Sequence, residues 1–197
     1  MGSEDIKLRF SLAAPAYDNL VVRGNYQAHR WLPRRILSEL KTDSAEILDL
    51  GCGTGLGSLP FLEKGFEVTG IDFAEGMIRR AAHRPFKRLI CQDIESELPV
   101  PDAAFDAVLV LGVLDFIEDP QALLAQISRK LRSGGLCGLT APQRRSERPV
   151  VEIKDYSKDE IERLLTRGRF EIMECREIFG CEVEKEKIYY WEYLLRK

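Results

Sequence analysis

From about residue 44 the apolar positions of this chain alternate between two periods. Glu46 to Leu50 (EILDL) is a short apolar run that enters the turn Gly-Cys-Gly-Thr-Gly-Leu-Gly-Ser, after which Leu56, Leu59, Phe61 and Leu62 carry helical spacing. Phe66 to Ile71 predicts a second strand ending at Asp72. Met77, Ile78, Ala81 and Ala82 then recur at helical spacing until Pro85 stops the pattern. Leu89 to Cys91 predicts a third, short strand. Phe105 to Leu111, nearly all apolar and rich in β formers, predicts a central strand covered on both faces. Asp119-Pro120 supplies an N-cap and a first-turn proline for a helix carrying Leu123, Leu124, Ile127 and Leu131, closed by Ser133-Gly134-Gly135. Leu136 to Thr140 is the fifth predicted strand. The polar stretch Gln143 to Arg148 and a helix around Ser157 to Thr166 follow. Phe170 to Phe179 and Lys187 to Leu195, joined by the charged run Glu182 to Lys187, then predict a terminal antiparallel hairpin. The expected fold class is α/β: a mainly parallel seven-stranded sheet with that hairpin at one edge, right-handed crossovers, and helices on both faces.

The 197 residues, 45% of them hydrophobic, suffice for one core, so residues 45–197 are expected to form one domain behind an N-terminal helical extension, 1–44. A net charge of −3 gives no global attraction to nucleic acid or anionic lipid, and neither partner is expected. Residues 1–10 alternate charged and apolar side chains without a signal-peptide core, and no later run is long enough to span a membrane, so a cytoplasmic location is expected. Five cysteines form no CxxC pair, and His29 and His83 are far apart, so neither a disulfide framework nor a metal site is indicated.

The chemistry concentrates at the first βα turn. Glycines that follow a strand and open a helix let backbone approach a ligand where a Cβ would intrude. The dinucleotide pattern G-x-G-x-x-G fails, because Leu56 stands where its third glycine belongs, and no Gly-Lys-Ser/Thr follows to make a Walker A loop. What stands is D-x-G-x-G-x-G, from Asp49 through Gly51 and Gly53 to Gly55. Asp72 lies 21 residues after Gly51 at a predicted strand end, where an acid can accept both hydroxyls of a ribose.

The glycine pattern resembles motif I of the class I S-adenosylmethionine-dependent methyltransferases. Asp72, Cys91-Gln92-Asp93-Ile94 and the run from Phe105 to Leu114 resemble the same family's later motifs, and the likeness covers about Glu46 to Ala141. It implies a Rossmann-like fold and transfer of the methyl group of S-adenosylmethionine to an acceptor, here expected to be a small molecule, with S-adenosylhomocysteine as product. It further implies that Gly51, Cys52, Gly53 and Gly55 line the cofactor, with Asp49 near its methionine end. Asp72 would hold the ribose, Phe73 and Met77 would pack on the adenine, Asp93 and Ile94 would read its edge, and Leu111-Gly112 would pass beside the methionine amine. Ala74 departs from the usual Ser or Thr helix cap.

In the extension, Ala16-Tyr17-Asp18 resembles a stretch that many relatives fold over the cofactor, so Tyr17 is expected to cover the methionine end. Tyr26, His29, Arg30 and Trp31 are candidates for an acceptor wall or for a helix packed on the sheet rim. Methyl transfer from a sulfonium is an in-line displacement that needs proximity and dryness more than an acid or base. Tyr17, His29 and Asp115 are the candidate proton acceptors, Asp115 being expected on an exposed turn. The cluster Arg79, Arg80, Arg84, Lys87 and Arg88 is read as a solvated helix face. Two other readings stay open: a sensor or scaffold that binds the cofactor without transfer, and an NAD-dependent oxidoreductase.

Overall fold

A computed structural model describes residues 3–23, 28–144, 154–183 and 186–197. Three helices, α1 (Ser3–Ala13), α2 (Tyr17–Arg23) and α3 (Ala28–Glu39), precede an alternation of β1 (Glu46–Leu50), α4 (Leu59–Glu63), β2 (Glu67–Asp72), α5 (Glu75–Ala81), β3 (Arg88–Cys91) and β4 (Phe105–Val110). The chain continues with α6 (Pro120–Lys130), β5 (Leu131–Pro142), α7 (Lys158–Arg167), β6 (Glu171–Val183) and β7 (Glu186–Arg196). One seven-stranded sheet results, in the order β3-β2-β1-β4-β5-β7-β6. β1 to β5 are parallel, and β7 runs antiparallel to both β5 and β6. The strand order reverses between β1 and β4, and in open α/β sheets the crevice beyond that point is where ligands bind.

The central strands read as continuous apolar runs because both of their faces are covered. On one face Leu48, Leu50, Val108 and Leu139 pack with Leu123 and Ile127 of α6 and with Ile161 and Leu165 of α7. On the other, Ile47, Leu109 and Leu194 pack with Phe61 of α4 and with Leu32 and Ile36 of α3. α3 is therefore built into the core, and only α1 and α2 of the 1–44 segment lie outside the two main clusters. Helix starts follow local chemistry. Asp119 accepts from the Ala122 N–H ahead of Pro120, and Ser157 with Glu160 forms a capping box. Ala74 gives α5 no side-chain cap.

Two boundaries differ from the sequence reading. β5 starts at Leu131, not Leu136, because Leu131 pairs with Phe105 while the end of the chain pairs with the glycines. The Gly134 N–H donates to the Lys197 carbonyl at 3.2 Å, and the Lys197 N–H donates to that of Gly135 at 2.9 Å. The hairpin strands also run further, with Glu182 opposite Lys187 and Val183 opposite Glu186, so part of the expected charged connection is strand.

Candidate active site

β1 delivers the chain into the glycine turn, and β2 fixes that turn. The Gly51 and Cys52 N–H groups both donate to the Ile71 carbonyl, at 2.8 and 3.1 Å. Gly51 has φ +67, and a Cβ there would stand 2.5 Å from Cγ2 of Val113, so only glycine lets this turn pass under the loop after β4. At the end of β2 the buried Asp72 carboxylate accepts from the Gly53 N–H and the Ala74 N–H, each at 2.8 Å. Burial pushes its carboxyl above the ordinary range, and these two N–H groups pull the other way. Asp49, buried on β1 two residues before Gly51, accepts from the Ser58 hydroxyl at 2.6 Å. Burial dominates there, and Asp49 is pushed up to about 7. Beyond β4, the Gly112 N–H donates to the Thr140 hydroxyl at 2.7 Å.

One cavity, with about 890 Å³ of empty space including its open mouth, brings together Tyr17, Gly51, Gly53, Asp72, Phe73, Met77, Asp93, Ile94, Leu111 and Gly112. A second, smaller cavity shares Tyr17, Gly51, Gly53 and Leu111 and adds Asp49, Cys52 and His29. Gly55 lines neither; a Cβ there would run into Phe86 and Arg84. Tyr26 lies outside the described residues. Trp31 and Arg30 line a different groove, where the Arg176 guanidinium lies 3.8 Å above the Trp31 ring.

Sequence reasoning missed six lining residues: Ile6, Phe10, Glu95, Val113, Phe116 and Glu118. Phe10 packs edge-on to Tyr17 and to Phe116, closing the cavity from the α1 side. The spacing of Ile6 and Phe10, four apart, is the signal that points to one helix face. Four carboxylates (Asp72, Asp93, Glu95 and Glu118) line this cavity, and no lysine or arginine does so among the described residues. The lining therefore favours a cationic ligand over an anionic one.

Two expectations are corrected. Asp115 is buried, not solvated, because β7 beside β5 brings Tyr190 to it, and the Tyr190 hydroxyl donates to its carboxylate at 2.5 Å. Burial raises Asp115 to about 6, and it lines neither cavity. Within the expected solvated basic cluster, Arg84 instead clamps α2 to the glycine turn. Its guanidinium donates to Asp18 at 2.8 Å and to the Thr54 carbonyl at 2.7 Å, while the Thr54 hydroxyl donates to Asp18.

A family model described as a methyltransferase domain matches residues 48–139. A demethylmenaquinone methyltransferase of Tropheryma whipplei is 34% identical over 149 residues, covering 71% of this chain and 61% of that protein. A phosphatidylethanolamine N-methyltransferase of Cereibacter sphaeroides is 28% identical, covering 72% of this chain and 77% of that one. Among solved structures, the 1,6-didemethyltoxoflavin-N1-methyltransferase of Burkholderia thailandensis, with bound 1,6-didemethyltoxoflavin and S-adenosylhomocysteine, superposes with a TM-score of 0.72 at 21% identity, covering 98% of this chain and 88% of that one. The chain thus spans about three-fifths of the length of its Tropheryma relative.

Proposed function

This chain belongs to the class I S-adenosylmethionine-dependent methyltransferases, and we propose that it transfers the methyl group of S-adenosylmethionine to a small-molecule acceptor. The observation that carries this reading is the cavity at the β1/β4 reversal, where Asp72 stands at the end of β2 and carboxylates, with no lysine or arginine among the described residues, line the walls. A sulfonium and an ammonium suit such walls, whereas a pyrophosphate does not. When bound, the cofactor supplies a methyl group activated on a positively charged sulfur.

The protein's part is binding, alignment and dryness. Each Asp72 oxygen already holds one N–H and keeps a further lone pair, so the carboxylate can accept both hydroxyls of a diol without releasing the turn. Phe73 and Met77 offer an apolar wall for a purine, with Asp93 and Ile94 at its edge. Asp49 and the Leu111-Gly112 backbone suit the ammonium end. Gly51, Cys52 and Gly53 let the backbone approach, and Tyr17 with Phe10 and Phe116 excludes water. Gly55 contributes through the turn's geometry, and His29 faces the smaller cavity as a candidate acceptor-side group. The names of the Tropheryma, Cereibacter and Burkholderia proteins support a small-molecule acceptor. Incubation with methyl-tritiated S-adenosylmethionine and a deproteinised metabolite extract should move label into a new small-molecule fraction. Label that stays wholly in the cofactor, with cofactor binding intact, would overturn transfer and leave a binding protein.

A further inference from the structure

A groove with about 870 Å³ of empty space, including its open side, runs between α3 and the edge strand β6. Its walls are Arg30, Trp31, Arg34, Arg35, Ser38 and Arg176, four guanidiniums and no carboxylate among the described residues. None of the six lines either cavity of the candidate active site. Arg30 and Arg34 stand one helical turn apart on α3, exposed, and make no ion pair among the described residues.

Carboxylates do touch the other two arginines, and the way they touch them sets what is left for a ligand. The Arg176 Nε donates to Glu192 at 2.5 Å, and the guanidinium lies 3.8 Å above the Trp31 ring. Glu192 is fully buried, and its other oxygen has no hydrogen-bond partner among the described residues. A buried carboxylate that is only half satisfied costs stability, so this ion pair is a poor staple for the fold. What it achieves is to fix Arg176 by its Nε and by the face of Trp31, leaving both Nη groups unbonded among the described residues. Arg35 is held in a similar way. Its Nε donates to Glu174 at 2.9 Å and its Nη1 to Glu39 and Ser38 at 2.7 and 2.9 Å, which leaves Nη2.

A guanidinium carries N–H donors in a fixed fork and no acceptor, so four of them along one groove call for a ligand rich in acceptor oxygens. A single carboxylate is filled by one fork, whereas two linked phosphoryl groups offer oxygens to all four. A nucleic acid suits the groove less well, because the chain's net charge is −3 and Trp31 already carries Arg176 in place of a base. We propose that this groove binds the diphosphate group of a small soluble ligand, with Arg176 held ready for it by Glu192 and Trp31. The site is separate from the cavity and does not depend on the methyl-transfer reading.

Isothermal titration of the full chain with inorganic pyrophosphate in phosphate-free buffer tests this, with a single-stranded oligonucleotide titrated in parallel. Wild type should bind one pyrophosphate per chain. The R30Q/R34Q variant should lose at least roughly tenfold in affinity while melting like wild type, since both side chains face water. R79Q/R80Q removes the same two charges from α5, outside the groove, and should bind like wild type. E192Q separates a built site from charge alone. It makes the groove more positive, so unspecific attraction would tighten binding, whereas loss of the Arg176 anchor should weaken it by roughly threefold or more. Absence of pyrophosphate binding by wild type, equal losses in R30Q/R34Q and R79Q/R80Q, or tighter binding by E192Q would each overturn the proposal. So would saturable binding of the oligonucleotide with pyrophosphate silent, which would assign the groove to nucleic acid.

Discussion

At Gly76 the backbone of α1 packs directly against α5, and Gly76→Ala sets two opposed effects against each other. Gly76 lies in the first turn of α5, and its N–H donates to the Ser11 hydroxyl at 3.3 Å. A Cβ built there would stand 2.4 Å from the Ser11 carbonyl oxygen and 2.8 Å from its Cα. Alanine in a helix interior gains about 0.8–1.0 kcal/mol over glycine, and less in a first turn. Overpacking of this kind costs about 1–3 kcal/mol, and the clash is with backbone that no rotamer change relieves. α1 should yield, because α5 is anchored by the buried Met77 and Ala81, whereas α1 is tied mainly through Phe10 and Ser11. The melting temperature should therefore change little. Affinity for S-adenosylhomocysteine should fall, because Ile6 and Phe10 leave the cavity wall. A loss of about 1–3 kcal/mol corresponds to roughly five- to 150-fold, at about 1.4 kcal/mol per factor of ten. Isothermal titration gives the affinity, and hydrogen exchange over residues 3–23 reports the seating of α1. Wild-type affinity together with wild-type protection would refute the claim that α1 is seated on α5 as a wall of the cavity.

Three further outcomes follow from the site. Asp49 is held up to about 7 by burial, whereas an unfolded aspartate titrates near about 3.9, so between these values the folded chain keeps a proton that the unfolded chain has lost. Stability then falls as pH rises through this window, and Asp49→Asn should gain on wild type between pH values of about 4 and 7 in urea melts; a constant difference would contradict the assignment. Tyr190→Phe removes the hydroxyl donor of buried Asp115 and should cost about 1–3 kcal/mol, much less when Asp115 is already Asn. Additive losses in that double-mutant cycle would show that the two side chains do not couple. Asp72→Ala should weaken S-adenosylhomocysteine binding by about 1.5–3 kcal/mol for each charge-assisted hydrogen bond lost, and unchanged affinity in a folded variant would take Asp72 out of the site.

The strands were legible because buried parallel strands are apolar without interruption, and their turns were marked by glycine, proline and capping acids. Gly51, Gly53 and Asp72 were legible for the same local reason, and the structure gathers them in one cavity with most of the residues expected there. What the sequence hid depends on contacts far along the chain. Asp115 is polar and follows a strand, which locally reads as an exposed turn; its burial comes from Tyr190, seventy-five residues later. The insertion of β7 between β5 and β6 leaves no local mark, and neither does the pairing of Lys197 with the glycines of β5. The alternation of charged and apolar residues from Ile6 to Leu12 has the period of a strand. In the helix it becomes two apolar sides, with Ile6 and Phe10 on the cavity and Leu8 and Leu12 on the outside.

Isothermal titration of the full chain with S-adenosylhomocysteine and, in parallel, with NAD tests the central claim most directly, because both ligands carry an adenosine diol for Asp72 but only NAD carries a pyrophosphate. A cavity lined, among the described residues, by four carboxylates and no lysine or arginine should bind S-adenosylhomocysteine far more tightly than NAD. NAD binding as tight or tighter would contradict the account of the site.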